Sequence, residues 1–300
     1  MELLCSATSY FQVGDRILRP LSLNIIGAGK LGKVIGCLLK KALRISAICN
    51  QSPASTQTAV AFIGEGLCSS SIKDLPPSDL TLIAASDEAI FPIAEELSTS
   101  MKLQQGSIIF HCSGLLSSET LLPLKKKGCF LASIHPMKSF ANPGLNITQY
   151  RGTYCAIEGD NEALSVLIPL FRSIGSVMFE IEKDKKALYH AAGVFASNYL
   201  LTLARQSLSC LHEAGVEEQL AVQIVSNLMK GTVSNLEHNL SPERALTGPI
   251  QRADLSTIKS HLQALNHEQK SIYSKLGLAT IPLTMHDEEE KAAIKEALLP

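Results

Sequence analysis

The chain has 300 residues, 46% hydrophobic and 18% charged, enough for two modest domains with substantial cores. Its 27 basic and 28 acidic side chains leave a net charge of −1, which excludes the basic footprint of a nucleic-acid binder. Eight scattered cysteines, with no C-x-x-C pair and no compact Cys/His cluster, predict a reduced cytoplasmic protein without a metal site or disulfide framework. No apolar run approaches the roughly 18 residues of a membrane span. The opening segment also lacks the basic-then-apolar order of a secretory signal, so no membrane partner is expected.

Strand and helix patterns alternate after that segment. Leu23–Ile26 reads as a strand, Lys30–Leu43 as a helix and Ile45–Cys49 as a second strand. Asp79–Ser86, Ser107–Gly114 and Cys129–Pro136 are continuous apolar strands, with a helix over "EAIFPIAEEL" after the first. Apolar strands alternating with helices predict a parallel sheet covered on both faces. "TYCAIEG" and "SVMFEIE" add two strands around a helix near Glu162–Arg172.

At Lys183 the texture changes. A single long helix is predicted to Gly215, followed by helices over Glu217–Met229, Pro249–Leu265 and Glu268–Leu276 and a short charged surface helix at the end. The expected organisation is an extension over 1–20, an α/β Rossmann dinucleotide-binding domain over 21–181 and an all-α domain over 182–300.

Gly27-Ala28-Gly29-Lys30-Leu31-Gly32 is a G-x-G-x-x-G between the first strand and the first helix. Alone the pattern is weak, but this context makes it specific. Gly27 permits the tight turn, Gly29 lets a pyrophosphate approach the backbone, and Gly32 lets the helix pack close to the sheet. The helix N-terminus offers free N–H groups and a positive dipole end to the phosphates. An acid usually ends the second strand and repels a 2′-phosphate; Asn50-Gln51-Ser52 stands there instead, followed by Ser55 and Thr56. These neutral donors favour NADP over NAD, although no arginine in the loop clamps the phosphate.

Four longer strings accompany the turn: "HCSGLLSSETL" (111–121), "SIHPMKSFANP" (133–143), "LYHAAGVFASNYL" (188–200) and "ALTGPIQRADLSTIKSHLQAL" (245–265). With them the chain, from about Leu21 onward, resembles oxidoreductases that join a Rossmann-like domain to a C-terminal helical domain of unknown function. That architecture is similar to 6-phosphogluconate dehydrogenase, ketopantoate reductase and pyrroline-5-carboxylate reductase. The resemblance implies NAD(P) binding, redox activity and a homodimer paired through the helical domain, and it fixes no substrate. Two features depart from it. The family's R-G-D reads Arg252-Ala253-Asp254 here, and the first twenty residues have no counterpart.

Ligands of open α/β sheets gather at the carboxyl ends of the strands. Ser86-Asp87, His111–Gly114 with Ser113, and Ser133–Pro136 with His135 fall there. Ser86, Asp87 and Ser113 are candidates to line the cofactor; each can equally cap a following helix, the reading preferred for Asp87. His135 is a candidate for direct substrate or cofactor contact, or a structural hydrogen-bond donor.

Along the long helix, His190, Val194 and Ser197 share a face, with Asn198 beside it. In the related dehydrogenases this helix bears a catalytic lysine and asparagine one turn apart, and Val194 occupies the lysine position. His190 is therefore expected to donate the proton and Asn198 to orient the substrate beside Ser197, unless His190 is only a structural helix histidine. In "LTGPIQRAD", Thr247 or Gly248 is expected to cap a helix opened by Pro249, and Arg252 to grip a carboxylate; pairing of Arg252 with Asp254 at a subunit contact is the alternative.

The leading reading is an NADP-dependent oxidoreductase reducing a small, carboxylate-bearing carbonyl or imine in the interdomain cleft. A non-catalytic dinucleotide-binding sensor or scaffold is the competing class.

Overall fold

A computed structural model describes residues 20–100 and 102–299 of the protein, so the extension assigned to 1–20 lies, apart from Pro20, outside the described residues. The chain forms two compact units, with Phe195 closing the first and Ala196 opening the second. That division falls later than the boundary drawn near Ile181.

The first unit opens with β1 (Ser22–Ile26), α1 (Lys30–Leu39), β2 (Arg44–Cys49), α2 (Pro53–Ile63) and β3 (Leu67–Cys68). It continues through β4 (Leu80–Ile83), α3 (Asp87–Ser98), β5 (Ile108–His111), β6 (Phe130–Pro136) and the short α4 (Pro143–Thr148). β7 (Tyr154–Gly159), α5 (Asn161–Ser173), β8 (Val177–Glu180) and α6 (Lys186–Gly193) complete it. The strands form one sheet in the order β3-β2-β1-β4-β5-β6-β7-β8.

Alternate side chains of the central strands enter opposite layers, which is why those strands are mainly apolar. Ile25, Leu82 and Phe110 pack with Val34, Ile35 and Phe171 on one face. Ile26, Ile83 and Ile109 pack with Ile90 and Leu121 on the other. The sheet is mixed and not wholly parallel, because β7 runs antiparallel to β6. The connection between them holds only the six-residue α4, packed against α1, and not a sheet-covering crossover helix. Since the chain leaves β1 first toward β2 and later toward β4, the direction of winding reverses there. That reversal opens a crevice at the strands' carboxyl ends.

The long helix predicted from Lys183 to Gly215 is broken. A 3₁₀ turn at Lys183–Lys185 precedes α6, and a π-helical turn at Val194–Asn198 separates α6 from α7 (Tyr199–Glu213). A π turn holds an extra residue, so the α-helical spacing expected to align His190, Val194 and Ser197 does not continue through it.

The second unit contains α7, α8 (Glu218–Asn239), α9 (Pro242–Ala245), α10 (Leu255–Ala264), α11 (His267–Thr280) and α12 (Glu288–Leu298). α8 runs past Met229 because Gly231 meets no neighbour and costs only about 1 kcal/mol in a helix. The C-terminal helix is more than a surface feature. Ile294, Ala297 and Leu298 bury with Ile258 and Ile281 as this unit's core. Gly277 admits Leu298, whose Cδ2 lies 2.6 Å from where a Cβ would stand.

The segment expected to start a helix at Pro249 is a run of turns; the helix begins at Leu255, where Asp254 accepts from the Thr257 N–H and hydroxyl. A helix cannot pass Ala253, whose φ is +50°. The glycine usual at this position in the resembling family suits that geometry. Ala253→Gly is therefore expected to stabilise the protein by about 1 kcal/mol, the cost of the left-handed region for an L-residue offset in part by glycine's chain entropy. Urea unfolding checks it, and an unchanged or lower midpoint counts against a strained Ala253. Among the described residues, no helix is long and apolar enough to cross a membrane.

Candidate functional site

The glycine turn sits in the crevice between β1 and β4. Gly27 has φ +82°, and a Cβ there would lie 2.8 Å from the Ala85 backbone nitrogen. At Gly32 a Cβ would meet the Gly27 carbonyl at 3.0 Å and Ala84 Cβ at 3.2 Å, so this glycine sets the helix-to-sheet distance. Gly29 differs. Its nearest foreign atom would be 4.0 Å from a Cβ, so no neighbouring atom excludes a side chain there, while a ligand close to the backbone would. α1 starts at Lys30, and the N–H groups of Lys30, Leu31 and Gly32 have no carbonyl four residues back within the helix. Lys30 itself is exposed. Beside the turn lies a cavity of about 850 Å³ whose wall includes Gly27, Ala28, Gly29, Asn50, Gln51 and Ser86.

Asn50 is committed to the turn. Its Oδ1 accepts from the Ala28 N–H at 2.6 Å, and its Nδ2 donates to the Ser55 carbonyl at 3.0 Å. The side chain thus ties the glycine turn to the start of α2, and an aspartate could not make the second bond. Ser52 caps α2 by accepting from the Ser55 N–H, and Thr56 is buried and donates to the Ser52 carbonyl. Of the donors expected at this rim, Asn50 and Thr56 are therefore largely consumed by local structure; Gln51, Ser52 and Ser55 are exposed, but the Ser52 hydroxyl donates to that of Ser55, which donates to the Ser52 carbonyl. Lys33 also lines the cavity and holds its ammonium 5.8 Å from the Phe62 ring centroid. The sequence reading missed it because Lys33 lies one residue beyond the motif.

At the carboxyl ends of β5 and β6 the chain gathers a second group. Asp87 is the first helical residue of α3, behind the N-cap Ser86, and neither makes a side-chain cap; this corrects the preferred reading of Asp87. Ser113 caps the turn after β5 by accepting from the N–H groups of Leu115 and Leu116. His111 is fully buried, with Nδ1 accepting from the Ser113 N–H and Nε2 facing the Ser117 carbonyl, which fixes a neutral ring as the brace of this turn.

His135, half-buried at the end of β6, shares a 2.7 Å hydrogen bond between Nδ1 and the Tyr189 hydroxyl. His190 stands edge-on to it, with ring centroids 6.3 Å apart. Both imidazoles converge on Gly114. A Cβ there would lie 2.8 Å from His135 Cε1 and from His190 Cδ2.

Beneath them is Lys186, only 2% exposed, donating to the Ser113 carbonyl and the Ser133 hydroxyl. Its ammonium is 3.8 Å from Glu158, which also accepts from the Ser118 N–H and hydroxyl at 2.7 Å each. One lysine thus joins the ends of β5, β6 and β7 to the first turn of α6. The sequence reading passed over Lys186 and Tyr189 because both sit in a charged, helix-opening stretch. The i, i+3, i+4 spacing of Lys186, Tyr189 and His190 on one helix face was the available signal.

Burial sets the charges here. Desolvation pushes the Lys186 ammonium down to about 8 although Glu158 opposes the shift. It holds His135 at about 4, with the positive Lys186 and the neighbouring His190 adding to the effect. It likewise holds His111 at about 4 and raises the Tyr189 phenol to about 12. In the unfolded chain His111 takes up a proton near its ordinary 6.5, but in the fold only near 4. Its contribution to stability is present above pH 6.5 and is lost as pH falls through that window, by at most about 1.4 kcal/mol per pH unit. Urea unfolding between pH 7 and 4.5 is expected to show this slope, and His111→Asn to flatten it by about one proton. An unaltered slope would contradict the assignment.

The remaining candidates lie in the second unit. Ser197 and Asn198 are exposed within the π-helical turn, and Thr247 and Gly248 precede the turn that carries Arg252. Arg252, 64% exposed at its side chain, lies 3.9 Å from Asp254. No group of His, Cys, Asp and Glu that could hold a metal occurs among the described residues.

Comparison with known proteins divides the chain earlier than the two compact units do, since the second family match begins at β7. The Rossmann-like domain family matches residues 12–136, and the domain of unknown function DUF2520 matches residues 153–280. No curated protein matches the chain in sequence. Among solved structures, a provisionally assigned NADP oxidoreductase from Bacteroides fragilis is 18% identical, with TM-score 0.72 over 88% of this chain and 98% of its own. A Thermotoga maritima protein is 27% identical, with TM-score 0.62 over 92% and 98%. Pyrroline carboxylate reductase from Plasmodium falciparum, solved with NADP bound, is 13% identical, with TM-score 0.56 over 93% and 95%.

Proposed function

The chain belongs to the proteins that couple a Rossmann-like domain to a DUF2520 domain, and from that premise we propose that it is an NADPH-dependent reductase of a small carbonyl or imine compound. The observation that carries the reading is Gly29. The fold leaves open space where its side chain would be, at the mouth of an 850 Å³ cavity and beside the first N–H groups of α1. A diphosphate is the ligand that such a bare, positively polarised turn receives.

Three features support NADPH over NADH: an amide, Asn50, and not a carboxylate follows β2, Gln51 and Ser55 line the cavity, and Lys33 places a cation on its wall. When bound, the dinucleotide supplies the hydride. The chain's own part is to hold the diphosphate on the turn, to seat the nicotinamide end near Ser86 and Ser113, and to deliver a proton from the histidines over Gly114. Arg252, exposed on its turn, is the candidate for the substrate's carboxylate, with Ser197 and Asn198 as candidates to orient it.

Pairing of two copies through the helical unit belongs to the same reading. It is supported by α7, none of whose 15 residues is buried although Leu201 and its neighbours are apolar. Sedimentation velocity at a mass of one chain would remove it.

The test of function is consumption of NADPH with pyruvate, 2-oxoglutarate and 1-pyrroline-5-carboxylate as probes. Turnover of any one supports the reductase, with Arg252→Ala then raising KM for that acid about tenfold or more. Tight NADPH binding with no turnover across these and a wider set of carbonyl compounds would favour the sensor reading instead.

A further inference from the structure

Three residues on one face of α6 converge on the end of the sheet, and they do different things there. Lys186 descends between β5 and β6, Tyr189 meets His135, and His190 lies edge-on beside it. We propose that the reduction is completed through His135, which gives its Nε2 proton to the substrate while the Tyr189 hydroxyl replaces that proton at Nδ1, with Lys186 as the residue that positions the pair. The inference rests on the reductase reading and adds the identity of the acid.

The 2.7 Å contact engages Nδ1, so a neutral His135 accepting from the phenol carries its one proton on Nε2. His135 Cε1 and Nε2 are the atoms nearest the missing Gly114 side chain, 2.8 and 2.9 Å from where a Cβ would stand, so Nε2 lies at the carboxyl ends of β5 and β6. Ligands gather at that edge of an α/β sheet. By contrast His190 presents a carbon, Cδ2, to Gly114.

The protons and electrons balance. NADPH, when bound, would supply the hydride and its two electrons to the substrate carbon, and the C=O or C=N bond would open toward its heteroatom. That atom takes the Nε2 proton as Nδ1 takes the phenolic one. His135 is then neutral in its other tautomer, and Tyr189 is a phenolate. After product leaves, Nδ1 returns its proton to the phenolate and water supplies a proton to Nε2.

The groups that face His135 favour an exchange in which the imidazole itself stays neutral, while burial of Tyr189 keeps its phenolate transient. Lys186 and His190 on α6 oppose an imidazolium, Asp87 on α3 draws toward it, and Glu158 on β7 faces Lys186. Lys186 also fixes the height of α6 over the sheet through Ser113 and Ser133.

Nitrogen NMR of the histidine rings in the full-length protein with NADP⁺ tests the arrangement without a substrate. At pH 7 the His135 signal is expected to report a protonated Nε2 and a bare Nδ1. Tyr189→Phe should move the ring toward an even tautomer mixture. Lys186→Met combined with Glu158→Gln, which keeps an acceptor for Ser118, should raise the pH at which His135 titrates by at least one unit. A protonated Nδ1 in the parent protein, or a tautomer indifferent to Tyr189→Phe, overturns the proposal even if NADPH is consumed. With whichever probe acid turns over, Tyr189→Phe is expected to lower kcat about 100-fold at unchanged NADPH affinity. An unchanged kcat overturns the relay and leaves the reductase standing; absence of NADPH binding removes the reductase and is separate from the NMR result.

Discussion

Gly29→Val is expected to weaken NADPH binding at least about 100-fold, a loss of about 2.7 kcal/mol, while stability changes by less than about 1 kcal/mol. The asymmetry follows from what surrounds each glycine of the turn. At Gly27 a side chain would lie within 3 Å of backbone atoms of Ala85 in a left-handed conformation, so substitution there damages fold and binding together. At Gly29 φ is −73°, outside the left-handed region, and only the Gly27 carbonyl comes as near as 4.0 Å. Added methyl groups at Gly29 would instead occupy the ground a diphosphate needs. Calorimetric affinity beside a urea unfolding curve for the same variant checks both halves. Retained affinity in a folded Gly29→Val protein would mean that the dinucleotide does not approach the turn.

Glu158→Ala is expected to cost about 3–5 kcal/mol of stability, the largest effect of any single substitution considered. Glu158 is 5% exposed and Lys186 2% exposed, so removing the carboxylate leaves a cation in a desolvated site without its paired carboxylate, the weaker pull of Asp87 remaining. The Ser118 N–H also loses its acceptor. Adding Lys186→Met removes the stranded charge and should recover most of the loss, because a buried pair is costly chiefly when half of it is missing. Denaturant midpoints of the two single variants and the double give the coupling directly. A single-variant loss below about 1 kcal/mol would show that Lys186 reaches solvent in solution.

The α/β half was legible because both faces of its central sheet are buried, so Leu82–Ala85 or Ile108–Phe110 read as unbroken apolar runs with little alternative to a covered strand. The direction of β7 was not legible. Nothing in "TYCAIEG" distinguishes parallel from antiparallel pairing, which depends on the path of α4. The break in the long helix was hidden for a related reason: no proline marks the π-helical turn at Val194–Asn198. In the site, glycine spacing announced the turn, since backbone approach leaves its trace in residue type. The Asn50 bonds to Ala28 and Ser55, and the Lys186 anchor, depend on residues far apart in sequence. Only the fold brings Glu158 and Ser118 to the same lysine.

Calorimetric titration of the full chain with NADPH and NADH tests the glycine turn most directly. The expected result is saturable heat with NADPH at one site per chain, weaker binding of NADH, and loss of the NADPH signal in Gly29→Val. Folded protein that gives no heat with either dinucleotide would contradict the account at its base.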